Sequence, residues 1–171
     1  MVCRHFRRPA AALINDIAGD PVIAGDRVYI SNFGGRTVAL DLDDGGRSWT
    51  AAVGAIGPGW PGGNAVFLIN DINELVRLDA GSGASVWRIA LPKFDEGDTV
   101  RQRSIFAHYG PVLAGGRLIV SSSDGLIRQF DTASGAQLDT LELPGGAASA
   151  PVVAGETLYV VSKTGQLHAF R

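Results

Sequence analysis

A single pattern recurs four times along the chain and leaves few folds open to it. Gly19 to Trp49 reads GDPVIAGDRVYISNFGGRTVALDLDDGGRSW, and it has partners in GGNAVFLINDINELVRLDAGSGASVW (Gly62 to Trp87) and YGPVLAGGRLIVSSSDGLIRQFDTASGAQL (Tyr109 to Leu138). A shorter fourth copy, APVVAGETLYVVSKTGQLHAF, runs from Ala150 to Phe170. Val28, Val66, Leu118 and Leu158 hold equivalent places, at successive intervals of 38, 52 and 40 residues. Self-similarity at such a period marks a fold made of stacked supersecondary units. Inside each copy, a run such as Val28-Tyr29-Ile30-Ser31 is followed by a glycine-containing turn and an alternating run such as Thr37-Val38-Ala39-Leu40-Asp41, the signature of a hairpin. A hairpin-based unit of this length fits a four-stranded blade, so the reading is an all-β fold, a β-propeller segment of about four blades. The blades fall at about 15–53, 60–91, 108–143 and 148–171. Residues 1–14 form an N-terminal segment that is either without order or a completing strand.

Composition agrees with many short strands and tight turns: 23 glycines and 8 prolines punctuate the apolar runs, and a 46% hydrophobic content suffices for a sizeable core. A net charge of −2, from 15 basic and 17 acidic residues without a long single-sign block, argues against a broad electrostatic grip on nucleic acid. Cys3 is the sole cysteine, so no intrachain disulfide forms and no Cys/His grouping offers a metal site. The basic opening MVCRHFRRPAAALI has no unbroken apolar stretch long enough for a signal peptide or a span. Nor does the apolar run of a lipidation signal precede Cys3, which reads as an incidental thiol.

Each complete copy ends on a corner. Asp41 is followed by Gly45 and Trp49, Asp79 by Gly83 and Trp87, and Asp131 by Gly135, always at a spacing of four. An aspartate ending a strand accepts backbone N–H groups in the turn, and glycine four residues on supplies the positive φ of a tight reversal. A tryptophan opening the next strand lays its ring over the neighbouring blade while its indole N–H finds an acceptor. These eight residues are therefore assigned to inter-blade docking. In the third copy Asp139 stands in the tryptophan slot, and docking of the fourth blade falls to Leu138 or Leu141.

Other features carry less chemistry. Pro92 to Ser104 lacks strand periodicity and mixes both charges, as a loop projecting between blades does. Trp60 breaks the repeat register and either anchors a partner or covers the adjacent blade. His5, His108 and His168 are scattered without the partners of a metalloprotease helix or a nucleophile elbow, and the glycine clusters at 57–63 and 144–146 lack the strand-to-helix setting of a phosphate loop. No catalytic, metal-ligating or cofactor-binding residue is assigned.

The Asp41/Gly45/Trp49 corner and its repeats resemble the tryptophan-docking motif of quinoprotein-like propellers over nearly all of residues 15–171. Within that superfamily four stretches, Ile14 to Val22, Asn64 to Leu78, Ser122 to Gly125 and Lys163 to Phe170, are similar to the BamB family of propeller lipoproteins in the bacterial outer-membrane assembly machinery. That resemblance implies the last four blades of an eight-bladed ring, half of the whole. It implies a non-catalytic scaffold at the periplasmic face of the outer membrane, assisting assembly and insertion of β-barrel proteins. Its implied partners are the central β-barrel subunit of the assembly complex and unfolded outer-membrane proteins. It also implies that Asn70, Asp71, Ile72, Asn73 and Glu74 face the barrel subunit, against the plain alternative of a polar hairpin tip. The competing reading is a dehydrogenase-like fragment dependent on a quinone, although no calcium-holding cluster or paired cysteines stand out.

Half a ring would expose two blade faces. Three resolutions are open: an upstream half outside this chain, a homodimer completing the ring, or a compact four-bladed closure. The first is preferred, and a fragment without independent activity is its corollary.

Overall fold

The computed structural model describes residue 17 and residues 19–55, 57–94 and 105–171, which hold fifteen strands and no helix. The first sheet comprises β1 (Val22–Ala24), β2 (Arg27–Asn32), β3 (Arg36–Asp41) and β4 (Arg47–Ala51). The second comprises β5 (Trp60–Gly62), β6 (Ala65–Ile69), β7 (Glu74–Asp79) and β8 (Ser85–Ala90). In the third are β9 (His108–Ala114), β10 (Arg117–Ser122), β11 (Leu126–Asp131) and β12 (Gln137–Glu142). The fourth has three strands, β13 (Val152–Ala154), β14 (Thr157–Val161) and β15 (Leu167–Phe170). Every sheet is an antiparallel meander in chain order, so the four sheets are four propeller blades.

Strand alternation gives each blade two faces, and both are used. Tyr29, Ala39 and Trp49 of the first blade pack on Val66, Leu68, Val76 and Leu78 of the second. The opposite face of the second blade, Ala65, Phe67, Ile69 and Leu75, packs on Leu118, Val120 and Phe130 of the third. Ile119 and Ile127 then meet Leu158 and Val160 of the fourth. Burial on both faces explains why β6 is an unbroken apolar run, Ala-Val-Phe-Leu-Ile, with all five residues buried. Leu141 joins the third seam, whereas Leu138 is 52% exposed, so of the two leucines offered for docking the fourth blade only Leu141 is placed to do it.

The innermost strands β1, β5 and β9 touch one another around the axis. Pro61 and Pro111 lie within β5 and β9, and Pro21 and Pro151 directly precede β1 and β13. Proline has no N–H to offer a ladder, which suits it to an edge and denies that edge to an added strand. Part of the 57–63 glycine cluster is thus the innermost strand of the second blade. Meander connectivity also sorts the turns. The aspartate corners lie at one end of the blades, while the β2–β3, β6–β7, β10–β11 and β14–β15 turns share the other end with the inter-blade connectors.

Candidate protein interface

The corners are built alike. Asp41 Oδ1 accepts the N–H groups of Asp43 (2.9 Å) and Asp44 (3.3 Å). Asp79 Oδ1 accepts Ser82 N–H (2.8 Å) and Oγ–H (2.7 Å), and Asp131 Oδ1 accepts the same pair from Ser134 at 2.7 and 2.6 Å. The serine hydroxyl, then the backbone N–H, holds both Asp79 and Asp131 below the ordinary carboxylate range. Gly45, Gly83 and Gly135 take φ of 69°, 73° and 74°.

The glycines also serve as seats. A Cβ on Gly83 would lie 2.5 Å from Trp49 Cε3, and one on Gly135 would lie 3.0 Å from Trp87 Cδ2. Each tryptophan therefore lies flat on the next blade's corner. Trp49 Nε1 donates to Ala80 O at 2.9 Å, and its ring stands 5.9 Å from Tyr29. Trp87 stands 6.0 Å from Phe67, but its buried Nε1 has no partner, so the acceptor expected for each indole is present in one seam only. Arginines clamp the same corners: Arg27 Nη1 donates to Ala80 O, and Arg77 Nη1 to Ala133 O at 3.2 Å. No periodic signal in the chain announced those contacts. At the third seam Asp139 leaves a groove of about 700 Å³ between Ile119, Leu141, Leu158 and Phe170.

At the opposite end, the 70–74 turn divides. Asn70 is 3% exposed; its Oδ1 accepts Ile72 N–H (3.2 Å) and Glu74 N–H (2.8 Å), and its Nδ2 donates to Glu74 Oε2 (2.8 Å). Asn32 makes the same bond to Arg36 N–H at 2.8 Å in the first blade, and Ser162 accepts Gln166 N–H in the fourth, so Asn70 is a recurring turn-holder. Asn73, at φ 60° and equally inward, donates from Nδ2 to Phe106 O at 3.0 Å. Glu74 faces Arg88 at 3.9 Å. Ile72 is exposed and Asp71 half-exposed, and these two are the turn's outward side chains.

Between the second and third blades lies a buried polar cluster. His108 Nδ1 is 2.5 Å from Ser122 Oγ, and its Nε2 is 2.7 Å from Pro92 O. Arg128 Nη1 donates to the same Ser122 Oγ (3.0 Å), and Nη2 pairs with Asp124 Oδ2 at 2.5 Å with both side chains buried. Burial holds His108 below its ordinary value. Ser122 is wholly buried, which keeps substrate from it. His168 stacks on Phe170. Among the described residues no three His, Cys, Asp or Glu side chains gather as metal ligands. Trp60, 38% exposed, lines an uncharged axial groove with Val22, Ile23, Tyr109, Pro111 and Pro151. Cys3, His5 and residues 95–104 of the projecting loop lie outside the described residues.

Antiparallel blades locked by aspartate corners and seated tryptophans define a β-propeller of the quinoprotein-like repeat class. Within it, the chain belongs to the outer membrane protein assembly factor BamB family, whose sequence model matches residues 4–89 and 92–171. It is 26% identical over 158 residues to outer membrane protein assembly factor BamB of Yersinia pestis, covering 92% of this chain and 37% of that one. The crystal structure of BamB from Moraxella catarrhalis superposes with a TM-score of 0.73 at 28% identity, covering 91% of this chain and 47% of that chain. Quinohemoprotein alcohol dehydrogenase from Comamonas testosteroni superposes at 0.68 with 15% identity over 86% of this chain and 29% of its own, a likeness of fold alone. The chain thus spans less than half the length of these relatives.

Proposed function

We propose that the chain is a non-catalytic scaffold at the periplasmic face of the outer membrane, assisting the assembly and insertion of β-barrel proteins through protein–protein contacts. The observation that carries this reading is the BamB family match across both halves of the chain. The fold is suited to the role. The recurring chemistry at its corners is consumed in holding blades together, and the stacked blades present turns at the other end. The proposed partners are the central barrel subunit and unfolded outer-membrane proteins, with the 70–74 turn meeting the former through Asp71 and Ile72. Replacing both with alanine lowers co-purification with the barrel subunit while the thermal unfolding midpoint stays put; unchanged recovery removes the turn from the interface. A strain lacking its family member, complemented with this chain, tests the assembly role through outer-membrane porin levels.

A homodimer completing the ring is the accompanying proposal. Val28, Ile30, Val38 and Leu40 are only half-buried, although their counterparts Val66, Leu68, Val76 and Leu78 are fully buried in the second blade. At the far end Val161 and Leu167 are 39% and 66% exposed. Light scattering decides it: twice the chain's 17.9 kDa supports closure by a second copy, and a monomer refutes it.

A further inference from the structure

The three seams solve one packing problem with different side chains, and the third departs from the others within its own strands. On the face that each blade turns to the next, register places Tyr29, Ala39 and Trp49 in one cross-strand row and Phe67, Arg77 and Trp87 in the second. The third row is Ile119, Gln129 and Asp139. Two aromatic rings, 5.9 Å apart in the first row and 6.0 Å in the second, fill their seams. A branched aliphatic side chain and a carboxylate hold the same two places in the third row, and the groove of about 700 Å³ lies beside them. Arg27, next to the first row, bonds Ala80 O of the following blade; Arg117, its counterpart, turns to Gln129 Oε1 of its own blade at 2.9 Å.

The groove has an apolar floor and a charged mouth. Ile119 and Leu158 are each 8% exposed, and Leu141 and half-buried Phe170 complete the floor. Arg117, Asp139, Glu156 and Arg171, all exposed, stand around it with two charges of each sign. A cleft of this volume suits a small molecule, and an apolar wall with a few polar groups at its edge is the usual build of such a site. The first two seams show which ring the slot takes: a flat indole, packed on aliphatic side chains of the following blade with a second aromatic ring beside it. Phe170 is the aromatic ring in the lining of the third, available for offset or edge contact. A mouth balanced in sign exerts no net pull on a polyanion or a polycation. It does offer carboxylates to an ammonium and guanidinium groups to a carboxylate, the two charged groups of a free α-amino acid.

We infer that the third-seam groove is a binding site for a free aromatic α-amino acid of the tryptophan type, its indole taking the place that Trp49 and Trp87 hold in the other seams and its charged groups meeting the acidic and basic side chains of the mouth. The test is calorimetric titration of the full chain with L-tryptophan, with saturable one-to-one binding expected. Tryptamine, which lacks the carboxylate, and indolepropionate, which lacks the ammonium, should each bind about tenfold more weakly, the loss of one charge-assisted contact. Asp139→Trp fills the slot from within and should abolish binding. Arg117→Ala should weaken L-tryptophan about tenfold and leave tryptamine unchanged. Thermal unfolding checks that the D139W chain folds; if it does not, R117A and the two analogues decide the case. No saturable binding by the parent chain, or unaltered affinity for L-tryptophan in either folded variant, overturns the assignment. N-acetyltryptophanamide binding as tightly as L-tryptophan also overturns it, in favour of a tryptophan side chain carried on a polypeptide.

Discussion

Gly83→Ala separates the two duties of the corner glycine, because Gly45 performs only one of them. At Gly45, with φ 69°, a Cβ meets nothing within 4 Å, so alanine there bears only the left-handed backbone penalty, about 1–2 kcal/mol. At Gly83, with φ 73°, the same penalty applies, and the added methyl lies 2.5 Å from Cε3, 2.8 Å from Cδ2 and 3.1 Å from Cζ3 of Trp49. Overpacking against a buried ring adds about 1–3 kcal/mol. Trp49→Ala alone should cost about 3–5 kcal/mol, the range for truncating a buried aromatic, which includes its bond to Ala80 O. In that background the methyl no longer meets an indole, so Gly83→Ala falls back to the Gly45→Ala value, and the cycle shows a coupling of about 1–3 kcal/mol. Urea unfolding with a shared slope measures all four variants. Equal losses at Gly45 and Gly83, or strict additivity of W49A and G83A, would refute the claim that the glycine is the tryptophan's seat.

Three further outcomes follow from the same geometry. Burial lowers the folded-state value of His108 below its unfolded 6.5, so below that pH the unfolded chain binds the extra proton; stability should be whole above pH 6.5 and fall as pH drops towards the lowered value, and a pH series on His108→Gln should lack that slope. Asp79 and Asp131 have lowered values as well, so their contribution is complete above the ordinary carboxylate value near 4 and is lost only in stronger acid; D79N and D131N should flatten the acid limb of a thermal-midpoint profile. Asp124→Ala strands the buried Arg128 guanidinium and should cost about 3–5 kcal/mol by urea unfolding, and adding Arg128→Val, the residue type of the matching slots Val38 and Val76, should restore most of it.

Much of the fold was legible because repetition compares the chain with itself. Val28, Val66, Leu118 and Leu158 mark the second strand of each sheet, and the Asp-to-Trp spacing places Trp49 and Trp87 across seams. Pairwise geometry was not legible. Nothing local distinguishes Trp49, which has an acceptor, from Trp87, which lacks one, since the difference lies in how the next corner's carbonyls point. Asn70 to Glu74 could be read as a partner-facing loop or as a polar tip because Asn and Asp favour turns; that Asn73 points inward depends on Phe106, 33 residues away. One signal was present and passed over. Arg128 interrupts an apolar slot four residues after Asp124, and a charge in such a slot calls for a buried partner.

The two ends of the blades differ in sequence for a physical reason. At the corner end the same residues recur because each seam must solve the same problem, and their polar atoms face neighbouring backbone. At the other end the turns differ from blade to blade, Asn32 to Gly35, Asn70 to Glu74, Ser122 to Gly125 and Ser162 to Gly165, and the long insertion leaves from there as well. Prolines on or beside the innermost strands blunt the axis against strand pairing, and the outer strands carry Arg47, Arg88, Asp139 and Glu142 with a register shift in each of the first three sheets. The proposed partner contacts therefore fall to side chains on the variable end, since the innermost edges and the outer edges of the first three blades are guarded. Asp71 and Ile72 stand there, on a turn whose Ile72 and Glu74 backbone N–H groups are already bonded to Asn70 Oδ1.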